Sequence, residues 1–217
     1  MASIAVIGGT GNLGKGITRR LAKAGHGVTI GSRSADKARD VAAAIGHGVV
    51  GASNEDAACG RDVVIVTVPY QTQAGTLRQI APHIGPAIVV DTTVPLVPPK
   101  VMRVQLPAAG CAASEARTLL GADVRFVTAF HNVSAHILDS DDKVDCDILV
   151  FSDDVEARGT VIGLVNDMCL RGLSGGALVN SAAAEALTSI LIYMNKTYKA
   201  DGAGIRFTNL VTAPPIC

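Results

Sequence analysis

The 217-residue sequence has no tryptophan, and aromatic residues make up only 3% of it, three Tyr and four Phe. A ligand platform of stacked aromatic rings is therefore not expected. Its five cysteines, Cys59, Cys111, Cys146, Cys169 and Cys217, form no CxxC pair. An odd count without that spacing argues against a disulfide framework and a zinc site, and free thiols in a reducing cytoplasm are the expected state. His131 and His136 lack a third ligand at suitable spacing, so no metal site is expected there either. Neither charge is in excess, with 19 Lys+Arg and 19 Asp+Glu. That balance argues against a nucleic-acid-binding protein or a polybasic membrane binder. No apolar run approaches a membrane span, and no signal peptide is visible. There is no GxSxG elbow, and no cysteine has a recognisable histidine partner, so a serine or cysteine nucleophile is not expected.

What is abundant is glycine, with 23 residues, and apolar side chains, at 48%. A chain of this length can bury one large core, or one core and a small second lobe. Charge is split along it. Residues 1–120 hold 12 basic and 7 acidic side chains, and residues 121–217 hold 7 and 12. The front half suits an anionic ligand.

The front half alternates strand and helix patterns. Ile4–Ile7 reads as a strand, and Leu13–Ala24 as a helix with Leu13, Ile17 and Leu21 on one face. Val28–Ile30 reads as a strand, and Ala35–Ile45 as a helix with Ser34 as N-cap and Gly46 as its stop. Gly48–Val50 reads as a short strand and Asn54–Cys59 as a helical turn. Asp62–Val68 shows no polar alternation, which predicts a strand covered on both faces. A helix over 72–82 and a strand over 87–91 follow. Short βα repeats imply an α/β fold with a doubly wound, Rossmann-type parallel sheet. Past a proline-rich segment, Pro95–Pro107, a short helix is expected at 113–120, a sixth strand at 124–130, a strand at 148–151, and helices over 155–169 and 178–200. We expect a dinucleotide-binding domain over 1–120 and a smaller C-terminal α/β lobe over 121–217 that completes the acceptor site.

Gly9-Thr10-Gly11-Asn12-Leu13-Gly14 is a GxGxxG between a strand and a helix, the context that makes the pattern specific. Gly9 would allow the tight turn, Gly11 the approach of a pyrophosphate, and Gly14 close packing of helix on strand. The helix N-terminus would offer unpaired N–H groups to phosphate. An NAD site usually carries an Asp or Glu after the second strand. Here that position is Gly31-Ser32-Arg33, with Lys37 one turn on and Thr10 nearby. Hydroxyl donors and fixed positive charge suit a 2′-phosphate, so the residues predict NADP. Thr67-Val68-Pro69 ends the fourth strand, where this fold lines its ligand crevice. Phe130-His131-Asn132-Val133-Ser134 follows the sixth strand, and His131 is the best candidate for a polar catalytic group. His136 ranks lower, while His26, His47 and His83 are expected at the surface. The acidic run Asp141, Asp142, Asp145, Asp147, Asp153 and Asp154 reads as a solvated face.

The stretch Ile7 to Gly16, then Gly31-Ser32-Arg33, Asn54-Glu55-Asp56-Ala57-Ala58, Thr67-Val68-Pro69, Ala129-Phe130-His131, Leu187-Thr188 and Gly204-Ile205-Arg206-Phe207 resembles the NADPH-dependent reductases of coenzyme F420, an 8-hydroxy-5-deazaflavin. The resemblance implies reversible hydride transfer between NADP(H) and the deazaflavin as second substrate. It implies that Thr10, Ser32, Arg33 and Lys37 match 2′-phosphate contacts, and that Ala135 matches a backbone contact to the nicotinamide amide. It further implies that His131, Val133 and Thr188 surround the deazaflavin, and that the protein is a homodimer. Two other functions fit the residues: an NADPH-dependent reductase of a flavin, imine or carbonyl, and a non-catalytic NADP sensor. Leu187, Ile190, Leu191 and Met194 form one stripe of the last helix, facing the core or a dimer partner.

Overall fold

The computed structural model describes residues 1–140 and 142–211. Asp141, Cys217 and the rest of the C-terminal extension beyond Val211 lie outside the described residues. The strands are β1 (Ser3–Ile7), β2 (Gly27–Ser32), β3 (Val50–Ser53), β4 (Val63–Val66), β5 (Ile88–Asp91), β6 (Arg125–Thr128), β7 (Asp147–Phe151) and β8 (Arg171–Gly176). The helices are α1 (Asn12–Lys23), α2 (Ala35–Ile45), α3 (Asn54–Ala58), α4 (Tyr70–Ile80), α5 (Ala112–Leu120), α6 (Ala135–Leu138), α7 (Val155–Asp167) and α8 (Ser181–Tyr198). All eight strands join one sheet in the order β3-β2-β1-β4-β5-β6-β7-β8. Every pairing is parallel except β6 with β7.

The sequence explains the layering. Ile4 and Val6 of β1 and Val63 and Ile65 of β4 pack with Ile17 and Leu21 of α1 on one face. Ala5, Ile7, Val64 and Val66 pack with Leu77 and Ile80 of α4 on the other. With both faces buried, period-2 alternation has nothing to select for, which is why β4 reads as an unbroken apolar run. Local signals also hold. The Ser34 hydroxyl accepts from the Lys37 N–H and caps α2, and Gly46 ends that helix at φ +74°.

The sheet runs without a break across residue 120. β6 adds to β5, and one apolar cluster extends from Ile4 to Leu170. β8 was not expected. Its sequence, RGLSGG, has little strand propensity, and tertiary contacts hold it instead. Arg171 grips the fully buried Asp147 carboxylate through two bonds of 2.5 and 2.7 Å, and the Phe151 ring occupies the space a Gly175 side chain would need. Asp147 is therefore not part of a solvated acidic face. Asp154 also has a structural task, capping α7 and pairing with Arg125.

Two further expectations change. His26 is not a free surface residue: its side chain is 8% exposed, its Nδ1 accepts from the Ala2 N–H at 3.2 Å, and its Nε2 lies 3.1 Å from Asp167. The α8 stripe is split. Leu191 is buried, whereas Ile190 and Met194 are exposed. Among the described residues, no helix is long and apolar enough to cross a membrane.

Candidate active site at the sheet crossover

After β1 the chain winds toward β2 and β3, and after β4 toward β5 and beyond. The ends of β1 and β4 therefore diverge into a crevice, the place where this architecture binds ligands. Thr67 closes its floor by donating both its N–H and its hydroxyl to the Ile7 carbonyl, each at 2.9 Å.

The glycine turn rises from that floor. The positive φ, +77°, belongs to Gly8 rather than Gly9, because Gly8 is where the chain leaves the strand. Gly9 is needed for packing: a side chain there would meet the Val6 carbonyl at 2.8 Å and Ile30 at 2.9 Å. Gly14 has the packing role expected of it, since a Cβ would lie 2.6 Å from Gly9 Cα and 2.7 Å from Thr67 Oγ1. Gly11 differs. A Cβ there would have only the Gly8 carbonyl, at 3.4 Å, within reach, so its bare face is turned to open space. Gly11 is also the N-cap of α1, without a side-chain cap and with no acidic residue in the first turn. The helix start is thus left free to hold an anion.

Two cavities meet along this turn. The first, of about 560 Å³, is lined by Thr10, Gly11, Ser32, Arg33, Ser34 and Lys37 on one side and by Asn54, Thr67, Val68, Pro69, Thr72 and Thr76 on the other. Arg33 and Lys37 form no ion pair among the described residues. Two unneutralised cations and six hydroxyl side chains suit a phosphate monoester, and no carboxylate lines the cavity to repel one. The residues thus fit a 2′-phosphorylated dinucleotide.

The second cavity, of about 350 Å³, shares Gly11, Thr67, Val68 and Pro69 with the first. It continues past Asn12, Leu13, Tyr70, Thr92, Thr93, Val94 and Leu96 to Phe130, His131, Val133 and Ala135. Phe130 takes φ +67°, a strained value for a bulky residue, and turns the chain so that His131 follows in the wall. His131 is 6% exposed, and neither ring nitrogen has a hydrogen-bond partner. Burial alone pushes its pKa down to about 4, so the ring is neutral at physiological pH. Its ring lies 6.1 Å from that of Phe151. Thr188 is not among the residues lining either cavity. Its hydroxyl instead reaches the His131 carbonyl, and Asn132 donates to the Ala184 carbonyl at 2.8 Å. His136 stays at the surface.

Behind this cavity lies a buried acidic cluster that the sequence did not single out. Asp91, at the end of β5, is 1% exposed, and burial raises its pKa to about 6 although Thr93, Gln73 and the Thr92 N–H bond to it. Glu185 of α8 accepts from the N–H groups of Ala112 and Ala113 at 2.7 and 3.1 Å, capping α5; burial, opposed by those bonds, raises its pKa to about 7. Tyr70 donates to Glu115 at 2.8 Å, and burial with that bond raises the phenol to about 12.

Residues 3–95 match the family described as NADP oxidoreductase coenzyme F420-dependent. The F420-dependent NADP reductase of Methanocaldococcus jannaschii is 39% identical over 95% of this chain and 98% of its own length. That of Methanothermobacter thermautotrophicus is 38% identical over 95% of each. The chain belongs to the F420-dependent NADP oxidoreductase family. Among solved structures, a hypothetical protein of Sinorhizobium meliloti superposes with a TM-score of 0.71 at 24% identity, over 84% of this chain and 88% of that one. A Streptomyces aurantiacus imine reductase gives 0.63 at 19%, over 91% and 63%. These two likenesses concern the fold.

For this member of the family, the structure adds residues to which the sequence assigned no role in the site. Asn54 is 3% exposed and lines the first cavity; its amide donates to Gln79, which donates in turn to Glu55. Thr93 and Tyr70 line the second. No spacing rule marks them, because three separate segments bring them to the cleft: the starts of α3 and α4 and the stretch after β5.

Proposed function

We propose that the chain transfers a hydride reversibly between NADP(H) and coenzyme F420, with NADP in the crossover cleft. The observation that carries this reading is the wall of Gly11, Thr67, Val68 and Pro69 that the two cavities share. One end is adapted to phosphate, and the other is walled by small, aliphatic and neutral side chains. When bound, the two coenzymes supply both halves of the two-electron chemistry. The protein's task is to hold them and exclude water.

Thr10, Ser32, Arg33 and Lys37 hold the 2′-phosphate. The free N–H groups at the start of α1 and the bare Gly11 backbone hold the pyrophosphate, with Gly9, Asn12, Leu13 and Gly14 shaping the turn. Thr67, Val68 and Pro69 form the wall shared by both coenzymes, and Ala135 presents its backbone to the nicotinamide amide. His131 and Val133 face the deazaflavin. Being neutral, His131 serves as a ring wall and a hydrogen-bonding group rather than as a charged acid. Thr188 fixes the backbone that carries it.

In this reading residues 1–120 carry NADP and residues 121–217 complete the acceptor end. The protein works as a homodimer. Exposed Val179, Ile190, Tyr193, Met194 and Tyr198 on and beside α8 support that assembly.

The test is stopped-flow absorbance after mixing NADPH, purified protein and oxidised F420. Loss of the deazaflavin band at the rate of NADPH consumption is the expected result. NADPH binding without any bleaching would refute F420 as the acceptor.

A further inference from the structure

Asp91 has no part in the function just described, yet it is buried at the rim of the cleft. Its carboxylate makes no ion pair among the described residues. It accepts from the Thr93 hydroxyl at 2.7 Å, from the Thr93 N–H at 3.3 Å, and from the Gln73 side-chain amide. Gln73 is 3% exposed and belongs to α4, which starts directly after Pro69. One carboxylate therefore links the end of β5, the helix behind the shared wall, and a threonine that lines the second cavity, as Ala135 does.

The Thr93 hydroxyl has one hydrogen and two acceptors near it. Asp91 Oδ1 lies at 2.7 Å and the Val68 carbonyl at 3.4 Å. The carboxylate is closer and charged, so it takes the hydrogen. The Thr93 oxygen is then left as an acceptor only, in a wall where most neighbours are apolar. Such an atom discriminates by chemistry: a ligand N–H satisfies it, and a methyl group in the same place does not. Glu185 from α8 is the charged neighbour of Asp91, with Glu115 next to it, so no cation of that cluster competes for the Asp91 oxygens.

Resting on the NADP reading above, we propose that Asp91 is a positioning residue that fixes Thr93 as a hydrogen-bond acceptor for the carboxamide N–H of the nicotinamide ring. The pair thereby selects a pyridine ring bearing an amide over one bearing a ketone.

The test is equilibrium binding, without turnover, of three ligands. They are NADP⁺, its 3-acetylpyridine analogue, and adenosine 2′,5′-bisphosphate, which carries only the phosphate-bearing half. Wild-type protein is expected to prefer NADP⁺ over the analogue by about 3- to 10-fold, the worth of one net hydrogen bond. Thr93→Val and Asp91→Ala are expected to bring that ratio close to 1. Thr93→Ser and Asp91→Asn keep an equivalent hydrogen bond and should retain it. All four variants should bind the bisphosphate as wild type does, which also shows that they are folded. A Thr93→Val protein that still prefers NADP⁺ would overturn the contact. An Asp91→Ala protein that keeps the preference lost in Thr93→Val would overturn the role of Asp91. Wild-type protein that does not bind the bisphosphate would refute the NADP site itself, and the inference with it.

Discussion

Thr188 donates its hydroxyl hydrogen toward the backbone carbonyl of His131 at 2.8 Å, tying α8 to the chain that leaves β6. The Asn132 amide approaches the same hydroxyl at 3.2 Å. Thr188, which the resemblance would put beside the deazaflavin, is thus bonded to the segment that carries His131.

Thr188→Val keeps the shape and removes this link. Stability should fall by about 1–2 kcal/mol, because a buried carbonyl loses its partner. For a chain of this size that corresponds to a melting temperature lower by roughly 2–8 °C. NADP affinity should hold while turnover falls. Thermal unfolding together with single-turnover kinetics checks both, and unchanged turnover would detach Thr188 from the site.

His131→Ala should slow hydride transfer and leave NADP affinity nearly unchanged, because His131 stands at the acceptor end of the cleft. A large loss of NADP binding would place it elsewhere. Since its folded pKa is depressed to about 4, the unfolded chain binds the extra proton first as pH falls. His131 thus contributes stability above about pH 6.5, and that contribution is lost as pH falls toward 4. In denaturant melts across that window, wild type should lose stability relative to His131→Phe as pH falls.

Glu185 has the opposite sign. Its folded pKa is raised to about 7, so the folded protein holds the proton that the unfolded chain releases from about pH 4.5 upward. It favours folding below pH 4.5, and that contribution is lost as pH rises to 7. Glu185→Gln should therefore gain stability relative to wild type between pH 5 and pH 8. A difference independent of pH would show that the carboxyl is not protonated in the folded state.

Arg33→Ala should raise the NADPH dissociation constant by about 10- to 100-fold, the range for a charge-assisted hydrogen bond, and leave NADH binding nearly unchanged. Equal effects on both would mean that Arg33 packs on the adenine and does not hold the 2′-phosphate.

Two glycines of the turn should respond differently to alanine. Gly14→Ala forces a Cβ to within 2.6 Å of Gly9 Cα, so both stability and NADP binding should suffer. Gly11→Ala has room in the protein and should melt as wild type does. It should nevertheless bind NADP weakly, because its methyl group stands where the pyrophosphate must come. Normal affinity in Gly11→Ala would remove the pyrophosphate from this turn.

Local chemistry was legible because it is written in consecutive residues. Ser34 caps α2 as its spacing predicts, and Gly9 to Gly14 sit between strand and helix as the motif requires. The assignment of the tight turn was off by one residue. Gly8 and Gly9 are both glycines, and only the backbone path shows which has the positive φ and which meets Ile30. β8 escaped notice because Gly172 and Gly175 are there for the bulk of their neighbours, Val165 and Phe151, and not for strand propensity. His26 looked like a turn residue until Ala2 and Asp167, 24 and 141 positions away, closed around it.

The sequence by itself determined the parallel α/β order, the glycine turn and the preference for a phosphorylated ribose, because each depends on neighbours within a few residues. Tertiary structure alone decided that the sheet continues through β8, that Asp91, Gln73 and Thr93 form one buried unit, and that Thr188 bonds to the His131 carbonyl. Those contacts join residues far apart in the chain, and they exist only once burial has made an unpaired polar group too costly to leave alone.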